Sequence, residues 1–305
     1  MIGIVDVSKS YGTVKAVNHV SLSVDSGILF GLIGPDGAGK TTLFRMITTL
    51  IIPDSGNIRV SGLDTVSDYR QIRQFTGYMP GRFSLYPDLT VEENLTFYAT
   101  IFGTSIRDNY HLIKPVFSFL EPFSARLARN LSGGMKQKLA LCCALIHNPK
   151  LLILDEPTTG VDAVSRKEFW ETLNELKKTG MTILVSTPYM DEAAKCDRIS
   201  LMQEGRIIIE NTPGDILKAY NTPLLEVKTT DQLRALEILR SVKEITRAYL
   251  FGHSIHISLE PGSSDLAWLK SILLTHGIEG QVLTVEPDFE DCFIDAVERE
   301  KSKAL

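Results

Sequence analysis

The chain has 305 residues, 44% hydrophobic and 23% charged, a composition that excludes disorder and leaves room for one large domain or a large and a small one. A formal net charge of −5 supplies no basic field for nucleic acid or an anionic membrane surface. The opening MIGIVDVSKSYG has no basic segment leading into an apolar one, so no signal peptide is expected. The most apolar stretch is broken at His147, Asn148, Pro149 and Lys150, short of the roughly 18–20 residues of a membrane span. The four cysteines (Cys142, Cys143, Cys196, Cys292) lack metal-type spacing and suit small buried thiols in a reducing cytosol. A soluble chain is expected, reaching a membrane only through a partner.

Short β-branched runs alternate with helical patterns to about residue 219, and strands are predicted first at 2–7, 20–24 and 28–33. The third leads into GLIGPDGAGKTTL and a helix over 40–50. Gly34, Gly39, Lys40 and Thr41 fit G-x-x-x-x-G-K-[ST]. Glycines let backbone N–H groups curl around phosphate oxygens, Lys40 adds charge, and the Thr41 hydroxyl suits Mg2+. Gly37 and Thr42 complete the expected contacts. Strands at 57–60 and 76–79 follow, then RFSLYPDLTVEENL and a helix over 91–102. Phe83, Tyr86, Pro87 and Leu89 there suit a docking groove and a domain core equally.

NLSGGMKQKLALCCALI opens a helix over 133–148 with Ser132 as its cap and the Gly133 and Gly134 amides free, a second anion site. By itself this segment reads equally as a simply capped helix; one nucleotide has little use for two such sites in one chain, whereas a head-to-tail dimer uses both. LLILDEPTTG then reads as a buried strand over 151–155 with two acids at its end. Asp155 would hold Mg2+ through water, and Glu156 would orient or deprotonate the attacking water. A helix over 163–179, the strand TILVS, a helix over 190–196 and a strand over 198–203 close the pattern. The runs LLILD and TILVS suit a parallel sheet under helices.

KAYNTPLL breaks this rhythm, so domains are expected at 1–219 and 224–305 with a linker at 220–223. Beyond it, strands at 224–229, 244–250, 254–259 and 280–285 alternate with helices over 230–241, 264–276 and 289–303. That order predicts a small ferredoxin-like α+β unit.

The phosphate loop, LSGG and LDEP, in this order, resemble the nucleotide-binding domain of ATP-binding-cassette (ABC) transporter proteins over about 1–219. The resemblance implies an α/β P-loop NTPase fold, ATP with Mg2+, and a second such domain facing this one. It also implies separate membrane permease subunits that hold the chain at the inner face of the cell membrane. SKSYG resembles the aromatic loop, which would stack Tyr11 on adenine, and Val161–Asp162 resembles the loop touching the partner domain. EPDFEDCFIDAVERE resembles the ending of multidrug and daunorubicin-resistance-like exporters.

Two positions depart from the family pattern. Pro188 stands where a histidine would contact the γ-phosphate, and Gly81 stands where a glutamine would ligate Mg2+. Proline offers neither a side-chain donor nor a backbone N–H, and glycine has no side chain. Asp36 replaces the usual asparagine. ATP binding with poor hydrolysis is therefore expected, alongside a competent partner cassette whose ATP this chain's Ser132–Gly134 would close. The competing readings are a soluble ABC ATPase acting on ribosomes or DNA, which the charge disfavours, and a non-catalytic regulator.

Overall fold

The computed structural model describes residues 1–259 and 266–303. The chain divides into two compact units, Met1–Pro213 with the end of the last helix from Ala296, and Gly214–Asp295. The division falls a few residues before the linker expected at 220–223. The first two residues of the helix expected over 264–276, and residues 304–305, lie outside the described residues.

The first unit runs β1 (Ile2–Tyr11), β2 (Val14–Val24), β3 (Leu29–Ile33), α1 (Lys40–Ile47), β4 (Ser55–Val60), β5 (Leu63–Asp64), α2 (Tyr69–Gln74) and β6 (Thr76–Met79). It continues with α3 (Val91–Ile101), α4 (Ile106–Phe117), α5 (Gly133–Leu145), β7 (Leu151–Asp155), α6 (Ala163–Lys178), β8 (Thr182–Thr187), β9 (Arg198–Gln203) and β10 (Arg206–Asn211). Every residue of β3, β7 and β8 is buried, so these strands lie in the middle of a sheet covered on both faces. The order is β10-β9-β3-β8-β7-β6, parallel from β9 to β6, with β10 antiparallel on the edge. The parallel strands deliver their carboxyl ends to one side, the usual ligand side of such sheets. A second, antiparallel sheet β2-β1-β4-β5 packs Ile4, Val20 and Ile58 into one core with Phe30, Leu32 and Phe44.

β5, β10, α2 and α4 have no counterpart in the sequence reading. α4 was hidden by Pro115 and a non-helical break at Asn109, which dilute its pattern. Met190–Lys195 winds as a 3-10 turn rather than the expected helix.

After α7 (Pro213–Lys218), the second unit contains β11 (Leu224–Thr229), α8 (Gln232–Ser241), β12 (Ile245–Phe251), β13 (Ser254–Leu259), α9 (Leu266–Thr275), β14 (Gly280–Thr284) and the first part of α10 (Phe289–Lys303), as far as Asp295. Its antiparallel sheet has the order β12-β13-β11-β14, the split βαβ arrangement. β13 alternates between two environments. Ile255, Ile257 and Leu259 pack with Leu239, Leu269 and Leu273, while His256 meets α10 on the other face. Its Nδ1 lies 2.7 Å from the fully buried Asp291 carboxylate, which also accepts the Tyr249 hydroxyl. Burial raises the pKa of Asp291, but these bonds outweigh it and leave the group below the usual carboxylate range. The acidic ending EPDFEDCF is thus partly a buried polar anchor.

Candidate functional site

The chain leaves β3 at Gly34, where a Cβ would stand 2.1 Å from the Met202 carbonyl oxygen. Gly39, at φ 106°, is equally confined: a Cβ there would stand 2.1 Å from the Ala16 carbonyl oxygen. These constraints start α1 at Lys40, and a helix leaves its first amides without helical partners. Gly37, Gly39, Lys40, Thr41, Thr42 and Glu156 line a cavity of about 240 Å3, with Ala16 and Ala38 completing its wall.

Lys40 is only 2% exposed. Its Nζ donates to the carbonyls of Gly34 at 2.8 Å and Pro35 at 3.0 Å, and lies 3.1 Å from Glu156 Oε1. Asp155, at the buried end of β7, accepts the Thr41 hydroxyl at 3.1 Å and the Ser186 hydroxyl at 2.7 Å on the same Oδ1. Glu156 follows in a left-handed conformation, φ 50°, which is uncommon outside glycine. Behind the acids, burial and the Asp155 charge push the Tyr78 hydroxyl up to about 12. Thr41, on the cavity wall, and Asp155, hydrogen-bonded to it, offer hard oxygen atoms, a donor set suited to Mg2+.

Gly81 adjoins these acids. A Cβ on it would stand 3.0 Å from the Asp155 carbonyl oxygen and 3.8 Å from Glu156 Cβ. Pro188 directly follows β8, whose last residue, Thr187, accepts the Gly34 N–H at 3.3 Å through its carbonyl. Asp36 is exposed on the loop.

Other expected residues lie apart from the cavity wall. Ser132 caps α5 by accepting the Met135 N–H at 3.3 Å. Gly133 and Gly134 pack beside Gly160 and Ser165, and none of these three α5 residues lines the cavity. Tyr11 ends β1 at a tight hairpin and is 49% exposed. Asp162 caps α6 through the Ser165 N–H at 2.9 Å. Phe83, Tyr86 and Pro87 are exposed and Leu89 is half-buried, so they are not core. A groove of about 260 Å3 opens elsewhere, among Thr48, Leu50, Arg73, Thr76, Tyr78, Tyr98, Phe102, Cys143, Ala144 and His147. Sequence reasoning missed Ser186, Ala16 and this groove, because each acquires meaning only through contacts between distant segments.

A phosphate-type loop at the carboxyl end of a parallel sheet, with an acid pair at the end of β7, two strands away across β8, defines a P-loop nucleotide-binding domain. A family model described as ABC transporter matches residues 17–159. The Nod factor export ATP-binding protein I of Burkholderia lata is 42% identical over 217 residues, 70% of this chain and 71% of that one. The probable multidrug ABC transporter ATP-binding protein YbhF of Escherichia coli is 38% identical over 286 residues, 92% of this chain but 49% of that protein. The chain therefore spans about half the length of this multidrug relative. Among solved structures, an ATP-binding subunit of an ABC transporter is 31% identical with a TM-score of 0.66, covering 72% of this chain and 93% of that one. A dimeric ATP-binding cassette bound to ADP and phosphate is 25% identical with a TM-score of 0.64, covering 70% and 98%. The chain belongs to the ATP-binding proteins of the ABC transporter family.

Proposed function

We propose that this chain is the ATP-binding subunit of an export transporter, dimerising head-to-tail on ATP to drive separate membrane permease subunits. The observation carrying this reading is the cavity that gathers Gly37, Gly39, Lys40, Thr41, Thr42 and Glu156 around a space suited to phosphates. Lys40 would exchange its carbonyl partners for phosphate oxygens, and Thr41 with Asp155 would hold Mg2+. When bound, the ion neutralises phosphate charge. The separation of Ser132, Gly133 and Gly134 from the cavity supports their serving the ATP of a second cassette. Tyr11, exposed beyond β1, would stack on adenine. No helix of the described residues is long and apolar enough to cross a membrane, which supports attachment through permeases at the inner face.

The groove beside α3 is the better candidate for permease contact. Leu50 and Phe102 on its lining are exposed. Three of its lining residues, Thr76, Tyr78 and His147, carry buried polar atoms without a hydrogen-bond partner, which a docking segment would satisfy.

Turnover at this chain's own site should be slow. Position 81, beside Asp155 and Glu156, has no side chain, and position 188 brings no donor. One missing transition-state hydrogen bond costs about 2–4 kcal/mol, or ~10²–10³ in rate. The test is phosphate release by the purified chain under saturating Mg-ATP, measured with nucleotide binding and against Lys40→Ala. Binding without release above the Lys40→Ala background is expected. Brisk release that disappears in Glu156→Gln would overturn the slow-site reading.

A further inference from the structure

Asp155 and Ser186 are register partners on adjacent parallel strands, β7 and β8, so their side chains leave the same face of the sheet side by side. Ser186 is completely buried. Its hydroxyl donates to Asp155 Oδ1 at 2.7 Å and accepts the Glu156 N–H at 3.0 Å. The same N–H also reaches the Ser186 carbonyl at 3.1 Å. A hydroxyl has one proton to give and lone pairs to receive, so both bonds form at once with a single polarity. The relay runs from the Glu156 N–H through Ser186 to the Asp155 carboxylate.

This relay joins two needs that otherwise have no common support. Glu156 sits at φ 50°, a strained conformation that persists only where its surroundings hold it. Asp155 Oδ1 meanwhile shares its second donor, the Thr41 hydroxyl, with the position where a metal ion would sit. Were Thr41 to turn toward a bound ion, Ser186 would still hold Asp155 through its own hydrogen bond. Pro188 stiffens the same strand end, because the residue before a proline is confined to extended conformations. That residue is Thr187, whose carbonyl holds the Gly34 N–H of the phosphate loop.

Resting on the nucleotide-binding reading above, we infer that Ser186 is a positioning residue: through one hydroxyl it sets both the Asp155 carboxylate for Mg2+ and the backbone that aims Glu156. Through Thr187, stiffened by Pro188, the β8 strand end also holds the Gly34 N–H of the phosphate loop.

The test compares ATP affinity with Mg2+ and with EDTA, by titration calorimetry, for the wild-type chain, Ser186→Ala, Ser186→Cys and Ser186→Thr. Melting temperatures accompany each, and Lys40→Ala serves as the control for loss of nucleotide itself. Wild type should bind more tightly with Mg2+. Ser186→Ala should lose about tenfold or more of that Mg2+-dependent increment, the scale of one hydrogen bond to a charged group, while binding in EDTA stays unchanged. Ser186→Cys, which keeps the volume with a weak donor, should fall between, and Ser186→Thr should restore the increment. An unchanged increment in Ser186→Ala, or an equal loss with and without Mg2+, would overturn the positioning role while leaving the nucleotide site standing. A wild-type chain that binds no ATP would sink the nucleotide reading, and the inference with it.

Discussion

Gly81 and Pro188 concentrate the chemical question at single residues. Gly81 lies where any side chain would press on the Asp155 carbonyl, 3.0 Å from its Cβ, so a glutamine requires that carbonyl to yield by a few tenths of an ångström. Pro188 withholds a donor and stiffens Thr187. If these two positions limit turnover, Gly81→Gln combined with Pro188→His should raise phosphate release at least about tenfold, with either change alone giving less. Equal rates in the double variant and the wild type would locate the limit elsewhere. The phosphate loop was legible because its glycines, lysine and threonine are neighbours in the chain. Ser186 was not, because TILVST reads only as a buried strand until the register with β7 is known.

At the scale of elements, α3 and the turn after α5 shape the groove. Asn94 on α3 is fully buried and bonds Tyr86 through both N–H and carbonyl, plus the Leu89 and Thr90 carbonyls, which fixes the loop carrying Tyr86 and Pro87. His147 stacks on Phe102 with ring centroids 3.8 Å apart, and its Nε2 donates to the Thr76 carbonyl at 3.3 Å. Burial pulls its pKa down from 6.5 to about 4, outweighing that bond. The folded chain therefore disfavours the imidazolium that the unfolded chain accepts. Stability from His147 is complete above about pH 6.5 and is lost as pH falls toward 4, by at most about 3 kcal/mol. Denaturant unfolding at pH 7.5 and 5 should show this loss in the wild type and a smaller one in His147→Gln. Identical pH slopes would assign the loss to other groups. The sequence reading placed α3 and α5 within a few residues, since their apolar spacing and caps are local. It missed α4, whose Pro115 and Asn109 break the pattern that tertiary packing tolerates.

For the whole molecule, the decisive separation is between the cavity and the cap of α5. Ser132 caps the start of α5 at Gly133, and neither it nor Gly133 or Gly134 lines the cavity of its own chain. Ser132→Arg should leave nucleotide binding at this chain's site intact, while an assembly with a competent cassette loses turnover at the partner's site. Mixed-cassette phosphate release checks this. Full activity of such an assembly would remove the head-to-tail arrangement. The second unit is built differently: its sheet is apolar toward α8 and α9 and polar toward α10, where His256, Tyr249 and Asp291 meet.

By itself the sequence determined the phosphate loop, the acid pair on its strand, the cap of α5 and the βαββαβ order of the last eighty or so residues. Each rests on residues close in the chain, where backbone conformation and apolar periodicity act directly. Only the tertiary structure decided that Lys40 meets Glu156, that Ser186 links Asp155 to the Glu156 backbone, and that Gly81 adjoins both acids. Those contacts join residues from tens to more than a hundred positions apart, and strand register, which the hydrophobic pattern of a doubly buried strand leaves open, brings them together.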